Sequence, residues 1–215
     1  SEDEKIVFDD ILVGEVWLCS GQSNMAWLLG NSNGAEEFLA KAESKNIRLY
    51  DMKPRVVTDD VMWDSTELVR LNSHDYYIPT KWQKMNKENA AAFSAIASHF
   101  GAMLADSLDG PVGLICNAVG GAPIEAYIDR KTMEHHNVLV DILMNWKRND
   151  FVQDWVRGRA EKNIKNSSNP LQRHPYEPCY LFEAGISPIA SYPIKGVIWY
   201  QGESNVERRN EYADL

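Results

Sequence analysis

The sequence predicts an α/β fold in which helices cover both faces of a central parallel sheet. Three observations predict it. Short continuous apolar runs recur along the chain, as strands buried on both faces require. Stretches of helical composition separate them, as the crossovers between parallel neighbours demand. Each of three runs then empties into a polar loop containing glycine, and open parallel sheets bind ligands beyond the carboxyl ends of their strands.

Val16-Trp17-Leu18-Cys19 is the first run, and Ser20-Gly21 turns the chain away from its end. Residues 35–42 are good helix formers and Ile47-Arg48-Leu49-Tyr50 resumes a strand, which opens a β-α-β unit. Residues 51–86 carry Pro54, Trp63, Pro79 and Trp82 without a sustained period, and read as excursions and short strands over the sheet edge. Phe93, Ile96, Phe100, Met103, Leu104 and Leu108 recur at three- and four-residue steps, so one helix with that stripe buried is expected over 88–108, ended by Asp109-Gly110-Pro111. Val112-Gly113-Leu114-Ile115-Cys116 is the second run and opens onto residues 117–123. Helical composition returns at 138–149 and 154–164, followed by a long connection holding Pro170, Pro175, Pro178, Pro188 and Pro193. Gly196-Val197-Ile198-Trp199-Tyr200 is the last strand, leading into residues 201–205 and a helix-like 206–215.

A length of 215 residues suits one domain, and 44% hydrophobic residues suffice for a core. Against 22 Lys and Arg stand 31 Asp and Glu, a net charge of −9 that repels a phosphate backbone, so no nucleic-acid partner is expected. No apolar run approaches the roughly 20 residues of a bilayer span, so no membrane partner is expected either. Cys19, Cys116 and Cys179 form no disulfide framework and stand at no zinc-ligand spacing; they read as core thiols. No metal and no cofactor is implied.

The three loops carry the chemistry. Ser23 follows a glycine at a strand-to-turn junction, where a hydroxyl stands clear of the sheet, although Met25 replaces the second glycine of a G-x-S-x-G elbow. Gly120-Gly121 lets a backbone N–H approach a substrate without a Cβ in the way. Asn205 offers a side-chain amide that can aim at the same developing charge. Each alone has an ordinary reading as a turn or a helix cap. Together they supply a nucleophile, a backbone donor and a side-chain donor at three strand ends.

Trp17-Leu18-Cys19-Ser20-Gly21-Gln22-Ser23-Asn24-Met25, Gly113-Leu114-Ile115 with Gly120-Gly121-Ala122-Pro123-Ile124-Glu125-Ala126-Tyr127, and Trp199-Tyr200-Gln201-Gly202-Glu203-Ser204-Asn205 resemble three of the four sequence blocks of the sialate O-acetylesterase family, a branch of the SGNH hydrolases. The resemblance implies a flavodoxin-like, three-layer α/β/α sandwich and a serine esterase that removes O-acetyl groups from sugars. By it Ser23 is the nucleophile, and the backbone N–H groups of Ser23 and Gly121 with the Asn205 side chain hold the oxyanion. Gly120 takes the place of Gly121 if the second loop aligns one residue earlier. Gln201 and Glu203 are substrate-binding candidates in the third loop. Sialic acid is the favoured sugar, with acetylated xylan or another polysaccharide as rival, and Arg48, Arg55, Arg70 or Arg130 could meet a sialate carboxylate. The family implies a periplasmic, secreted or degradative compartment, and Asn166-Ser167-Ser168 matches a glycosylation acceptor. A reading from another class is a non-catalytic carbohydrate-binding domain on the same scaffold, its seven tryptophans stacking on sugar rings.

The family's fourth block, an Asp-x-x-His that supplies the base and its orienting carboxylate, has no match. His74, His99, His135, His136 and His174 all precede the third block, and none has an aspartate three residues earlier. The chain is therefore expected to be a fragment, C-terminally incomplete. Residues 1–12 read as a linker or exit strand from a missing N-terminal region, and residues 13–215 as an SGNH hydrolase domain lacking its Asp-x-x-His segment. That segment, on the same or a second polypeptide, is an expected partner, without which the chain is weakly active or inactive.

Overall fold

The first apolar run forms the middle of β1 (Glu15–Gly21), whose exit into α1 (Ser23–Ala26) sets the position of Ser23. The computed structural model describes residues 7–210 and residue 212. After α1 come α2 (Ala35–Lys41), β2 (Ile47–Asp51), α3 (Ser65–Asn72), β3 (Gln83–Lys84), α4 (Lys87–Ala91), α5 (Ala95–Leu108) and β4 (Val112–Cys116). Then follow α6 (Arg130–His135), α7 (Leu139–Asn145), α8 (Asp154–Asn163) and β5 (Gly196–Tyr200). The strands make one mostly parallel sheet in the order β3-β2-β4-β1-β5, with β3 antiparallel at one edge. Cys19 lies opposite Cys116 of β4 and Ile198 of β5, so the exits of these three strands share one edge.

Alternation along the strands feeds two cores on opposite faces. Leu18 and Ile115 join Leu68 and Leu71 of α3, Met133 of α6, Ile142 of α7 and Val156 of α8 in one. Cys19, Leu49, Leu114 and Cys116 join Met25, Phe93 and the alanines of α5 in the other. The three cysteines are free and buried, and burial pushes the thiols of Cys116 and Cys179 up to about 12. No helix among the described residues is long and apolar enough to cross a membrane.

The expected helix over 88–108 is two helices. Asn86 caps α4 with a reciprocal capping box, Ser94 caps α5 through Ala97, and the chain breaks between them. The break has a use: the Phe93 carbonyl accepts from Leu29 N–H at 2.8 Å and Ala95 N–H donates to Trp27 O at 2.8 Å, which ties down the segment after Ser23. The buried face of α5 is only in part the expected stripe: Ile96, Phe100 and Leu104 are half-buried against the core, but Leu108 is exposed. Met103 is 73% exposed, while Ala97, Gly101, Ala102 and Ala105 face the sheet. A Cβ at Gly101 would lie 2.6 Å from Leu114, so the small face lets the helix sit closer than a leucine face could.

Residues 51–86 hold the edge strand β3 but also α3, whose start is fixed by Asp64 accepting from Thr66 and Glu67 N–H. Only Leu68 and Leu71 of α3 are buried, too few to show a period. Residues 138–149 hold the shorter α7, and α6 precedes it behind an Asp129 cap. The run 196–200 is a strand, yet Val197, Trp199 and Tyr200 are exposed, because among the described residues β5 is the last strand on its side of the sheet. Residues 203–208 form a 3-10 helix rather than the start of an α-helix and 209–210 turn, while 211 and 213–215 of the helix expected over 206–215 lie outside the described residues. Residues 7–14 form no strand and are exposed.

Candidate functional site

The exits of β1, β4 and β5 are laced together by backbone first. Gly21 O accepts from Val119 N–H at 3.0 Å and from the Tyr127 hydroxyl at 2.7 Å, while Gln22 N–H donates to Tyr200 O at 2.9 Å. Gln22 is buried, and its Oε1 accepts from Ser204 N–H at 3.2 Å and Gly202 N–H at 3.4 Å. Its neighbour Ser23 is exposed at the start of α1, and no hydrogen bond to its Oγ is present among the described residues. Asn24 donates to Glu203, a second link between the first and third loops.

In the second loop the two glycines differ. Gly121 has φ +71°, a left-handed conformation that favours glycine, and its carbonyl accepts from Ser204 Oγ at 3.0 Å. Gly120 turns its carbonyl inward, where the Thr58 hydroxyl at 2.7 Å and the Tyr176 hydroxyl at 2.9 Å both donate to it. Burial raises the Tyr176 phenol, so it stays a donor at neutral pH.

Asn205 is buried in the 3-10 helix Glu203–Arg208. Its Oδ1 accepts from Ile124 N–H at 3.0 Å and from Gln201 Nε2 at 2.7 Å, which fixes which end of the amide is nitrogen. That Nδ2 donates to both carboxylate oxygens of Glu125 at 3.0 Å. Gln201 also donates to Ala122 O at 3.1 Å and accepts from the Tyr212 hydroxyl at 2.7 Å, so its polar atoms are engaged within the protein. Glu203 is exposed. Ser23, Gly121 and Asn205 thus come from three elements that are bonded to one another. Glu125 carries no chemical signal in the sequence around it; its signal lies only in a contact 80 residues distant.

The histidines lie elsewhere, and none hydrogen-bonds a residue of the three loops among the described residues. His74 pairs with Glu183 at 3.1 Å, His99 packs its ring on Phe38, His135 bonds Lys131 O, and His136 accepts from Val138 and Leu139 N–H. His174 is fully buried. Its Nδ1 accepts from Tyr176 N–H at 2.9 Å and its Nε2 faces Asn163 Oδ1 at 3.1 Å, which suits the neutral ring with the proton on Nε2. Burial holds its pKa well below the usual value. The unfolded chain takes this proton near pH ~6.5 and the folded chain only at lower pH, so stability is full above that value and lost as pH falls below it, by up to about 1.4 kcal/mol per unit. Thermal midpoints from pH 7.5 to 5.5 should therefore fall more steeply for the wild type than for His174→Gln; parallel slopes would refute the assignment. The arginines expected to meet a sialate carboxylate are each paired already: Arg48 with Asp10, Arg55 with Asp75, Arg70 with Glu67 and Arg130 with Glu183.

A mostly parallel sheet gathering a free serine, a left-handed glycine and an asparagine at one edge belongs to the class of carbohydrate esterase folds. A carbohydrate acetylesterase from Xanthomonas citri shares it, with a TM-score of 0.60 and 25% identity over 91% of this chain and 34% of that one. Within that class the chain belongs to the family described as carbohydrate esterase, sialic acid-specific acetylesterase, whose model matches residues 13–214. Sialate O-acetylesterases of Homo sapiens and Mus musculus are each 30% identical to it, over 94% and 92% of the chain. The chain spans about a third of the length of these curated relatives, 34% and 36%.

Proposed function

We propose that these residues are the nucleophile and oxyanion half of a carbohydrate O-acetylesterase, on a three-layer α/β/α sandwich of the SGNH type, with O-acetylated sialic acid as the substrate. Ser23 Oγ attacks the acetyl carbonyl carbon as its proton passes to a base. The Oγ–C bond forms, the bond from carbon to the sugar oxygen breaks, and the proton goes to that oxygen. Water repeats the sequence on the acetyl-serine and releases acetate. The backbone N–H groups of Ser23 and Gly121 and one N–H of Asn205 hold the negative oxygen in both steps.

The observation that carries this reading is the lacing of the loops. Asn205 bonds Ile124 and Glu125 of the second loop, and Gln22, adjoining Ser23, accepts from the third, so all three donors are held relative to the free hydroxyl before substrate arrives. With all five histidines engaged elsewhere, the base and its aspartate come from polypeptide outside these residues, as the family's fourth block implies. Family resemblance favours an extracytoplasmic or degradative compartment. The full-length protein is assayed for acetate release from O-acetylated sialic acid and from acetylated xylan. A kcat/KM higher on the sialate supports the reading, a preference for xylan replaces the substrate, and no release from either removes the esterase.

A further inference from the structure

We infer that Glu125 is the positioning residue of the candidate site: its buried carboxylate clamps the Asn205 amide so that one N–H is left aimed at the reacting oxygen. The inference rests on the reading of Asn205 as an oxyanion donor. Glu125 sits in the 3-10 helix Ile124–Tyr127 and is 1% exposed. Its carboxylate bonds the Asn205 side chain, and no ion pair with Glu125 is found among the described residues. A buried carboxylate without a cation is costly, and burial raises its pKa. Packing alone gives no reason for the charge, since a glutamine of the same shape could fill the space at lower desolvation cost.

What the carboxylate adds is an acceptor at both ends. Glutamine has an NH2 at one end, which in half of its orientations would face the NH2 of Asn205 and turn that amide around; a carboxylate never does. The two oxygens of one carboxylate subtend a narrower angle at Nδ2 than its two N–H bonds do. One hydrogen is therefore shared between the oxygens and the other is left over. Ile124 N–H and Gln201 Nε2 on Oδ1 lock the opposite end. The donor is thus oriented from three sides before charge develops, which is the condition for a hydrogen bond that costs no reorganisation during the reaction.

The test is a double-substitution cycle in the full-length protein, read as kcat and KM on 4-nitrophenyl acetate with thermal midpoints alongside. Asn205→Ala should lower kcat by about 10²–10³-fold, and Glu125→Gln by roughly 10- to 100-fold with KM little changed. The double variant should fall no further than Asn205→Ala alone, because a clamp without its donor has nothing to orient. Glu125→Gln losing the same factor in both backgrounds, or nothing in either, overturns the inference. If Glu125→Gln does not fold, Glu125→Asp, which retracts both oxygens by a methylene, enters the same cycle with the same criteria. Ser23→Ala is the control. Full turnover there sinks the esterase reading and this inference with it, whereas silent Ser23→Ala and Asn205→Ala beside an unaffected Glu125→Gln sink this inference alone.

Discussion

Ser23→Ala in the full-length protein should reduce acetate release by about 10⁴–10⁶-fold in kcat and leave the thermal midpoint within about 2 °C of wild type. The two halves of that expectation come from one observation. Ser23 is exposed, its hydroxyl has no hydrogen-bond partner among the described residues, and its helix is held by Met25 in the core and by the bond from Ala26 N–H to Gln22 O at 2.9 Å. Removing Oγ therefore takes nothing from the fold. A serine at a strand exit whose hydroxyl has no hydrogen-bond partner among the described residues, beside a buried glutamine that anchors the third loop, is the arrangement the proposed nucleophile requires. Circular dichroism melts and acetate release on the same preparations check both halves. A variant that melts like wild type and still turns over like it would make this chain a carbohydrate-binding scaffold, the reading in which the tryptophans and not the serine matter.

Much of the frame around the candidate site is legible in the sequence because parallel strands in the middle of a sheet are written as continuous apolar runs. Val112 to Cys116 are all buried, and the expected and observed strands coincide. β5 also coincides with its apolar run, yet Trp199 is exposed, because a run reports hydrophobicity and not what covers it. The stripe on α5 holds only in part: Ile96, Phe100 and Leu104 pack partly against the core, but periodicity favours large side chains, whereas Gly101 and its alanine neighbours make the closest approach to Leu114. Glu125 and His174 were invisible as buried groups. Each lies in a segment without a period, and each is satisfied by residues far along the chain or by a local turn that composition does not mark. Loop identity could be read from the chain; the bonds between loops are products of the sheet order, which brings β4 and β5 to either side of β1.

Backbone conformation separates the two adjacent glycines, which residue type alone does not. Gly121→Ala should lower kcat by about 10²–10³-fold, while Gly120→Ala should leave kcat within about twofold and stability within about 0.5 kcal/mol. At Gly121 an alanine meets two obstacles. Its φ of +71° costs a residue with a Cβ about 1–2 kcal/mol, and the new carbon would stand 2.3 Å from the Tyr176 hydroxyl and 3.2 Å from the Trp155 ring. Tyr176 cannot yield, being 1% exposed and bonded to Gly120 O, so the backbone of the loop must move and carry the 121 N–H with it. At Gly120 a Cβ would meet nothing within 4 Å, and its backbone is not in the left-handed region. Thermal midpoints should separate the variants as well, by about 5 °C or more from the strain and collision at Gly121. The pair is decisive because the variants differ by one residue in position and by nothing in chemistry. Lost turnover in Gly120→Ala with Gly121→Ala intact would move the backbone donor to Gly120, and intact turnover in both would leave the second loop as a structural turn that supplies no oxyanion contact at all.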